Sequence, residues 1–373
     1  MKKFQIRPVI CEMDSAKEFV GEFSIGEKDL VISHRFLYQD YFQSLKLPCK
    51  WIFQEDYCPG EPTDTGIDKI LSEISGMNVN RVIGVGGGSV LDIAKLLCVK
   101  GAKSTEEIFD DKIPLVRDKG LILVPTTCGA GCEMTCVSVV DIRRRNSKIG
   151  KRVEANFADY SVLIPQLLEK LPDIPFLYSS VDALIHALEI YLSPNTNDFN
   201  DIFCAEAISL ILTRYKELSQ QGLGKRSAYL ADFLRASTYA GVALSNTLCG
   251  AVHACAMHFG SAHHVPHGES NYRFLAAVMS KYAELNPQGK IQGTAAIINE
   301  ALHLQGETKT TFNELQNLLE SIIPAKRLRD YGVKQEDLSS YADKVIETQQ
   351  RLLINNYTPL SRENLISIYE SIY

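Results

Sequence analysis

The fold of the first half of the chain is indicated most clearly by the stretch Arg81-Val-Ile-Gly-Val-Gly-Gly-Gly-Ser-Val-Leu-Asp-Ile-Ala-Lys95. Its start predicts a buried strand, its three glycines predict a turn, and the periodic apolar residues from Ser89 onward predict a helix. Ser89 and Asp92 also have the spacing of a helix-capping box. Glycines let a backbone approach a phosphate closely, and free N–H groups at a helix start favour an anion. The stretch therefore predicts either a phosphate site or a tight structural turn.

Short β-branched runs recur on both sides of this stretch and alternate with helical patterns. The other predicted strands are 29–33, 51–53, 121–124 and 161–164. Strands interleaved with helices indicate a parallel α/β sheet. The segment VPTTCGAGCEMT at 124–135 follows one of these strands, at the end of the sheet where such folds bind ligands. A flexible connection is the alternative for that segment.

The second half has a different pattern, with long helix-period segments and few strand-like runs after LPDIP at 171–175. The predicted helices are 201–217, 227–243, 294–302 and 338–353. Single cores stop growing near roughly 250–300 residues, so a chain of 373 residues should contain two domains. We expect an α/β domain at 1–172 and an all-α domain at 173–373, with a ligand cleft between them.

Charge and composition exclude several classes of partner. The net charge is −6 and the pI is about 5.8, so nothing favours nucleic acid or an anionic membrane as a partner. No segment approaches the roughly 20 apolar residues of a membrane span or resembles a signal peptide. Ten cysteines without CxxC pairs suit reduced thiols, so a soluble, cytoplasmic protein is expected. Cys128, Cys132 and Cys136 recur every fourth residue, which is more typical of buried packing than of a metal site.

A candidate metal site begins in the helical pattern VDALIHALEI at 181–190. Asp182 and His186 lie four residues apart and therefore share one helix face. Such a pair is usually only hydrogen-bonded, so a metal site needs further ligands. Glu189 either orients His186 or is an ordinary surface glutamate.

Those further ligands are available in VHACAMHFGSAHHVPHG at 252–268, which holds five of the eight histidines of the chain. His253 on a helix and His267 in a Pro-His-Gly turn have the most fixed surroundings. Together with Asp182 and His186 they would give one carboxylate and three imidazoles, which leaves a divalent ion a coordination position for substrate. The remaining histidines are expected to support a ligand, to face the substrate or to lie exposed: His258, His263 and His264.

In order and separation, these segments resemble the iron-containing (group III) alcohol dehydrogenases. The resemblance covers essentially the whole chain and rests on GGGSVLDIAK at 86–95, PTTCGAGCEMT at 125–135, DALIHALEIYLSP at 182–194 and HACAMHFGSAHHVPHG at 253–268. Within the family it extends to members that act on 4-hydroxybutyrate, through HHVPHGESNY at 263–272 and TQQRLLINNY at 348–357.

The resemblance implies a Rossmann-like nucleotide-binding domain followed by a helical metal-binding domain, as in the dehydroquinate synthase-like architecture. It implies a homodimer, NAD as the cofactor with NADP as the alternative, and Fe²⁺ or Zn²⁺ as the metal. The implied metal-binding and catalytic residues are Asp182, His186, His253 and His267. The implied cofactor-binding residues are Gly86, Gly87, Gly88, Ser89, Asp92, Thr126, Thr127, Thr135 and Lys148.

The chain departs from the family pattern at three places. Met257 lies in the histidine-rich segment 252–268, here called the late block, where many family members have a further histidine. This excludes a proton relay through position 257, and His258 is the candidate substitute. Ser33 and His34 stand where many members carry an aspartate that disfavours NADP. In the segment 124–135, Cys132 replaces the serine that is more usual in the family, and it would place a thiol near the cofactor.

The function implied is hydride transfer between a small primary alcohol or its aldehyde and the nicotinamide, with the substrate oxygen on the metal. For 4-hydroxybutyrate and succinate semialdehyde, a cation must hold the distal carboxylate; Arg351 is the candidate, and a surface role is the alternative for it. The alternatives are another alcohol or polyol dehydrogenase, such as a glycerol dehydrogenase-like enzyme, and a catalytically silent metal- or nucleotide-binding protein.

Overall fold

The computed structural model describes residues 3–145, 147–324 and 326–373. It contains two compact units. One comprises residues 6–171, and the other comprises residues 172–373 together with the described residues before Ile6.

The first unit is built on a parallel sheet of six strands in the order β1-β8-β5-β4-β2-β3, which confirms the predicted fold class. Its strands are β1 (Val9–Glu12), β2 (Asp29–Ser33), β3 (Lys50–Phe53), β4 (Arg81–Gly86), β5 (Gly120–Pro125) and β8 (Tyr160–Leu163). Every residue of β2 is buried, and so is every residue of β4 except Arg81, which agrees with their apolar runs. The strand β1 was not predicted from the sequence.

Helices and a hairpin complete this unit. The helices are α1 (Ala16–Phe23), α2 (Arg35–Leu37), α3 (Asp64–Ile74), α4 (Gly88–Leu97) and α5 (Thr105–Phe109). Ser15 and Thr63 cap α1 and α3 by accepting hydrogen bonds from Glu18 N and Gly66 N. The antiparallel hairpin consists of β6 (Val137–Ile142) and β7 (Ser147–Arg152).

The glycine turn joins β4 to α4 through an unusually close approach of helix to strand. A Cβ atom at Gly86 would lie 2.6 Å from Cβ of Val90, and one at Gly84 would lie 2.8 Å from Cβ of Ala94. These two glycines are therefore needed for packing. The helix begins at Gly88, not at Ser89, and its N-cap is Gly87 without a side-chain cap. The predicted capping box of Ser89 and Asp92 is wrong.

The second unit is helical, as predicted. Its helices are α6 (Asp173–Leu192), α7 (Asp198–Gln221), α8 (Leu230–Asn246), α9 (Ala251–His263), α10 (His267–Leu285), α11 (Lys290–Leu302), α12 (Thr308–Ile322), α13 (Leu338–Thr348), α14 (Gln350–Leu353) and α15 (Arg362–Ser371). The segment predicted as one helix at 338–353 is interrupted at Gln349. α6 is buried on nearly every side and forms the centre of this unit.

No single described helix combines the length and apolar composition that a membrane crossing requires. Residues Leu223–Asn246 and Ala251–His263 meet that criterion only as a pair, which is bent by 99°. All ten cysteines are free thiols.

Candidate metal centre

Three helices of the second unit bring Asp182, His186, His253 and His267 together. One ligand atom from each of these residues lies within 4.8 Å of those of the others. The described residues form one further group of this kind, Glu189, Cys249 and His253, and neither group includes Cys128, Cys132 or Cys136.

Asp182 and His186 lie one turn apart on α6, and both are at least 95% buried. His253 lies in the first turn of α9, and its ring stacks on that of His186 with centroids 4.8 Å apart. The Nε2 atom of His253 lies 3.9 Å from Oδ1 of Asp182, too far for a hydrogen bond. His253 and Asp182 thus approach each other without a hydrogen bond between these two atoms.

His267 was expected in a Pro-His-Gly turn; it is the first residue of α10, with Pro266 as the N-cap. Gly268 explains this placement, because a Cβ atom there would lie 2.2 Å from the carbonyl oxygen of Tyr178 on α6. The close approach of α10 to α6 brings Nε2 of His267 to 3.8 Å from Oδ2 of Asp182. The His267 side chain is 50% exposed, so the cluster is open on this side.

Glu189 fixes the tautomer of His253. Oε2 of Glu189 lies 2.6 Å from Nδ1 of His253, and Oε1 accepts a hydrogen bond of 2.6 Å from Val252 N. Because a carboxylate only accepts, His253 donates from Nδ1, and in its neutral form it carries its lone pair on Nε2. That Nε2 atom is buried and has no hydrogen-bond partner. Glu189 therefore orients His253, whereas the sequence suggested His186 or the surface.

A buried lone pair without a donor is costly unless something else fills the role. The donor set of one carboxylate and three imidazoles suits Fe²⁺ and Zn²⁺ alike. A divalent cation thus fits the residues of this cluster. His253 provides the most direct indication, since its free Nε2 atom faces Asp182 across 3.9 Å.

The electrostatics of the cluster follow from burial and close charges. Burial disfavours the charged forms, yet the nearby histidines hold the pKa of Asp182 below its ordinary value. Burial likewise opposes protonation of His186 and His253, but Asp182 raises the pKa of His186, and Cys249 with Glu189 raises that of His253 well above its usual value. Without a metal, the cluster therefore favours an ionised Asp182 with protonated His186 and His253.

Two residues of the site were not found from the sequence. Asn271, one turn after His267 on α10, donates a 2.7 Å hydrogen bond to Oδ1 of Asp182, and its Nδ2 atom lies 3.1 Å from Nε2 of His267. Its spacing of four residues from His267 was the available signal. Cys249 is buried beside His186 and His253; although burial opposes ionisation, these histidines lower the pKa of its thiol.

The other histidines of the late block lie elsewhere. His263 Nδ1 bonds to the carbonyl oxygen of Tyr331 at 2.9 Å, so its Nε2 accepts from Tyr341 OH at 2.6 Å. The His258 ring packs edge-on against Tyr341 of α13, with centroids 4.9 Å apart. His264 is the left-handed C-cap of α9. None of the three belongs to the metal-capable clusters of the described residues.

The predicted cofactor residues lie in the first unit, several of them at the carboxyl ends of β4 and β5. Thr126 N bonds to the carbonyl oxygen of Gly86 at 3.0 Å, and Thr127 lies against Gly87. These residues and Ser89 surround the glycine turn that starts α4.

Asp92, Thr135 and Lys148 have partners within the same unit. Asp92 accepts from Lys95 Nζ at 3.1 Å and from Val139 N at 2.9 Å, so both of its oxygens are bonded. Lys95 Nζ also lies 3.3 Å from Oγ1 of Thr135. Lys148 on β7 pairs with a glutamate, Glu61, on the surface.

Comparison with known proteins gives a consistent family. The model of the iron-containing alcohol dehydrogenases matches residues 8–165, and that of the C-terminal part of the Fe-containing alcohol dehydrogenase family matches residues 176–373. The 4-hydroxybutyrate dehydrogenase of Clostridium kluyveri is 42% identical over 373 residues, which cover all of both chains.

Solved structures share the fold along the whole chain. A 1,3-propanediol oxidoreductase has a TM-score of 0.86 at 22% identity, and the two chains cover each other completely. The sulfoacetaldehyde reductase of Bifidobacterium kashiwanohense, solved in complex with NAD+, has a TM-score of 0.85 at 20% identity, covering all of this chain and 98% of its own.

Proposed function

The chain belongs to the iron-containing alcohol dehydrogenase family, and on that premise we propose that it interconverts a small primary alcohol and its aldehyde with NAD. The observation that carries the proposal is the convergence of Asp182, His186, His253 and His267 within 4.8 Å, with Nε2 of His253 buried and unpartnered. A structural role alone gives no reason for that free lone pair.

These four residues would hold the metal ion. When bound, a divalent ion supplies a Lewis acid for the oxygen of an alcohol or aldehyde. Asp182 contributes the negative charge, and Asn271 holds its carboxylate through the 2.7 Å hydrogen bond. Glu189 keeps the proton of His253 on Nδ1, which leaves Nε2 free to bind metal. His267 lies on the exposed side of the cluster, where a substrate can enter.

The dinucleotide would bind at the glycine turn of the first unit and supply the hydride acceptor. Gly87 and Gly88 present the backbone N–H groups at the start of α4, where an anion is favoured. Ser89, Thr126 and Thr127 surround this turn with hydroxyl groups. We propose Gly86 and Gly84 as packing residues that allow the turn to form.

We propose 4-hydroxybutyrate and succinate semialdehyde as the substrate pair. The support is the 42% identity, over the full length of both chains, to the 4-hydroxybutyrate dehydrogenase of Clostridium kluyveri. The distal carboxylate of these molecules needs a cation, and Arg351, exposed on α14, is the proposed partner. An Arg351→Met variant should raise KM for succinate semialdehyde and leave KM for butyraldehyde, which lacks the carboxylate, unchanged.

The decisive experiment joins metal analysis to an activity assay. The protein is purified without oxygen, its metal content is measured, and NADH oxidation is followed with succinate semialdehyde and a panel of other aldehydes. We expect roughly one Fe²⁺ or Zn²⁺ ion per chain and the highest kcat/KM with succinate semialdehyde. Stoichiometric metal with no NADH oxidation by any aldehyde would reject the enzymatic function, and turnover without metal would reject the metal assignment.

A further inference from the structure

Four charged or ionisable residues meet at the carboxyl ends of β2 and β3. His34 and Arg35 follow β2, and Glu55 and Asp56 follow β3. Arg35 Nη2 donates to both oxygens of Asp56, at 2.9 and 2.7 Å. Arg35 N donates to Oε1 of Glu55 at 2.8 Å, and Nδ1 of His34 lies 3.4 Å from Oε2 of Glu55. The Arg35 guanidinium at the end of one strand is thus paired with the Asp56 carboxylate at the end of the next.

This group lies beside the glycine turn in the sheet. Ser33 is opposite Val85 of β4 on one side and opposite Phe53 of β3 on the other. In parallel sheets that bind dinucleotides, the phosphates lie at the glycine turn, and the end of a neighbouring strand contacts the adenosine ribose. The neighbouring strand here is β2, so its end and that of β3 are the expected contacts of the ribose.

Ser33 and Arg35 are already occupied by other partners. The Ser33 hydroxyl donates to the carbonyl oxygen of Val85 at 2.8 Å and is completely buried. The Arg35 guanidinium is held over the ring of Phe53 at 4.3 Å while it pairs with Asp56. Glu55 keeps acceptor capacity: Oε1 accepts from Arg35 N, but the side chain is 38% exposed and its carboxylate can accept further hydrogen bonds.

We propose that Glu55 makes the chain select NAD(H) over NADP(H), an inference that rests on the proposed function. A carboxylate accepts hydrogen bonds from a ribose 2′-hydroxyl, whereas it repels the 2′-phosphate of NADP. Asp56 supports this selection by keeping Arg35, the natural partner of a 2′-phosphate, in an ion pair. The selecting carboxylate therefore comes from the end of β3, since Ser33 at the end of β2 carries none.

The test measures binding of NADH and NADPH without turnover. The chain has a single tryptophan, Trp51, on β3, so quenching of its emission and enhanced NADH emission both report binding. The variants are Glu55→Gln and Asp56→Asn, which keep shape and remove one charge each. Glu27→Gln is the matched control. Glu27 is exposed and lies just before the amino end of β2, whereas Glu55 and Asp56 lie at the carboxyl ends of the strands.

We expect the wild type to bind NADH at least about tenfold more tightly than NADPH. Glu55→Gln should reduce this ratio at least about fivefold, mainly through tighter NADPH binding, and Asp56→Asn should shift it in the same direction by releasing Arg35. Glu27→Gln should leave the ratio unchanged. If NADH binds but the ratio is the same in all variants, or if the wild type prefers NADPH, the inference is overturned while the oxidoreductase proposal stands. If neither dinucleotide binds, both are overturned.

Discussion

Oε2 of Glu189 lies 2.6 Å from Nδ1 of His253, and both residues are more than 90% buried. This pair determines which nitrogen of the imidazole carries the proton. A carboxylate in this position also raises the basicity of the ring, as outer partners of metal-binding histidines commonly do. The four-residue cluster therefore depends on a fifth residue that would not itself touch the ion.

Replacing Glu189 with glutamine should weaken metal binding while the fold is kept. The oxygen of the new amide can still accept from Val252 N, but its NH₂ group would donate to Nδ1 and force the proton of His253 onto Nε2. We expect the metal affinity to fall roughly 10- to 100-fold. Competition with a chelator measures the affinity, and circular dichroism reports the fold. Glu206→Gln, on the exposed face of α7, is the control, and equal metal affinity in both variants would contradict the assigned role.

Replacing His267 with alanine should remove metal without destabilising the metal-free fold. The His267 side chain is 50% exposed, so its loss should change the free energy of unfolding of the metal-free protein by no more than about 0.5 kcal/mol. Metal content and NADH oxidation should disappear together. His303→Asn is the control, because His303 is a left-handed C-cap of α11 where asparagine is tolerated. A His267→Ala protein that keeps its metal and normal turnover would refute the ligand assignment.

Metal binding should release protons near neutral pH. Despite burial, Asp182 raises the pKa of His186, and Cys249 with Glu189 raises that of His253, so protons compete with the metal for both rings. We expect release of at least about one proton per ion at about pH 7, measured with an indicator dye in weakly buffered, metal-free protein. Metal affinity should rise between about pH 6 and about pH 8.

The stability of the metal-free protein should fall as the pH rises, whereas metal affinity increases. A raised histidine pKa stabilises the fold fully below the unfolded-state value of about 6.5, and this contribution is lost as the pH rises through the folded-state value. The urea midpoint of metal-free protein should therefore decrease above about pH 6.5, whereas that of the metal-bound protein should not. Equal pH profiles for the two forms would contradict this coupling.

The sequence was most informative where local pattern and structure coincide. β2 and β4 are continuous apolar runs in the interior of the sheet, so their burial is visible in the residues themselves. β1 lies at the sheet edge with mostly exposed residues, and β7 is largely polar, so neither produces a buried apolar run. Local pattern therefore indicated the apolar strands, including β3 at the other edge of the sheet, better than the exposed or polar ones.

The convergence of Asp182 with three histidines could be predicted because histidine density and helical spacing are local signals. What the sequence could not give is how separate helices approach one another. Glu189 was expected near His186, its neighbour on α6, but α9 places His253 beside it instead. Asn271 and Cys249 likewise depend on the contacts between α6, α9 and α10. The side chains themselves indicate which donor atoms are available, but the contacts between helices determine which residues pair with one another.

The glycine turn allows the phosphate and packing interpretations to be separated. A Cβ atom at Gly87 would lie 3.4 Å from Cγ2 of Thr127, an ordinary contact, and the φ angle of Gly87 is −73°. Gly87→Ala should therefore fold normally. If the turn approaches a phosphate, the added methyl group should reduce NADH affinity by about tenfold or more.

Gly86 provides the contrasting variant. Its Cβ atom would lie 2.6 Å from Val90, and overpacking of this kind typically costs about 1–3 kcal/mol, so Gly86→Ala should lower the urea midpoint. Gly224→Ala is the neutral control, since nothing lies within 4 Å of its added Cβ. Unchanged NADH affinity in a stable Gly87→Ala protein would mean that Gly87 serves the turn alone. Reduced affinity at unchanged stability would separate ligand contact from packing, because only Gly87 has room for a methyl group in the free protein.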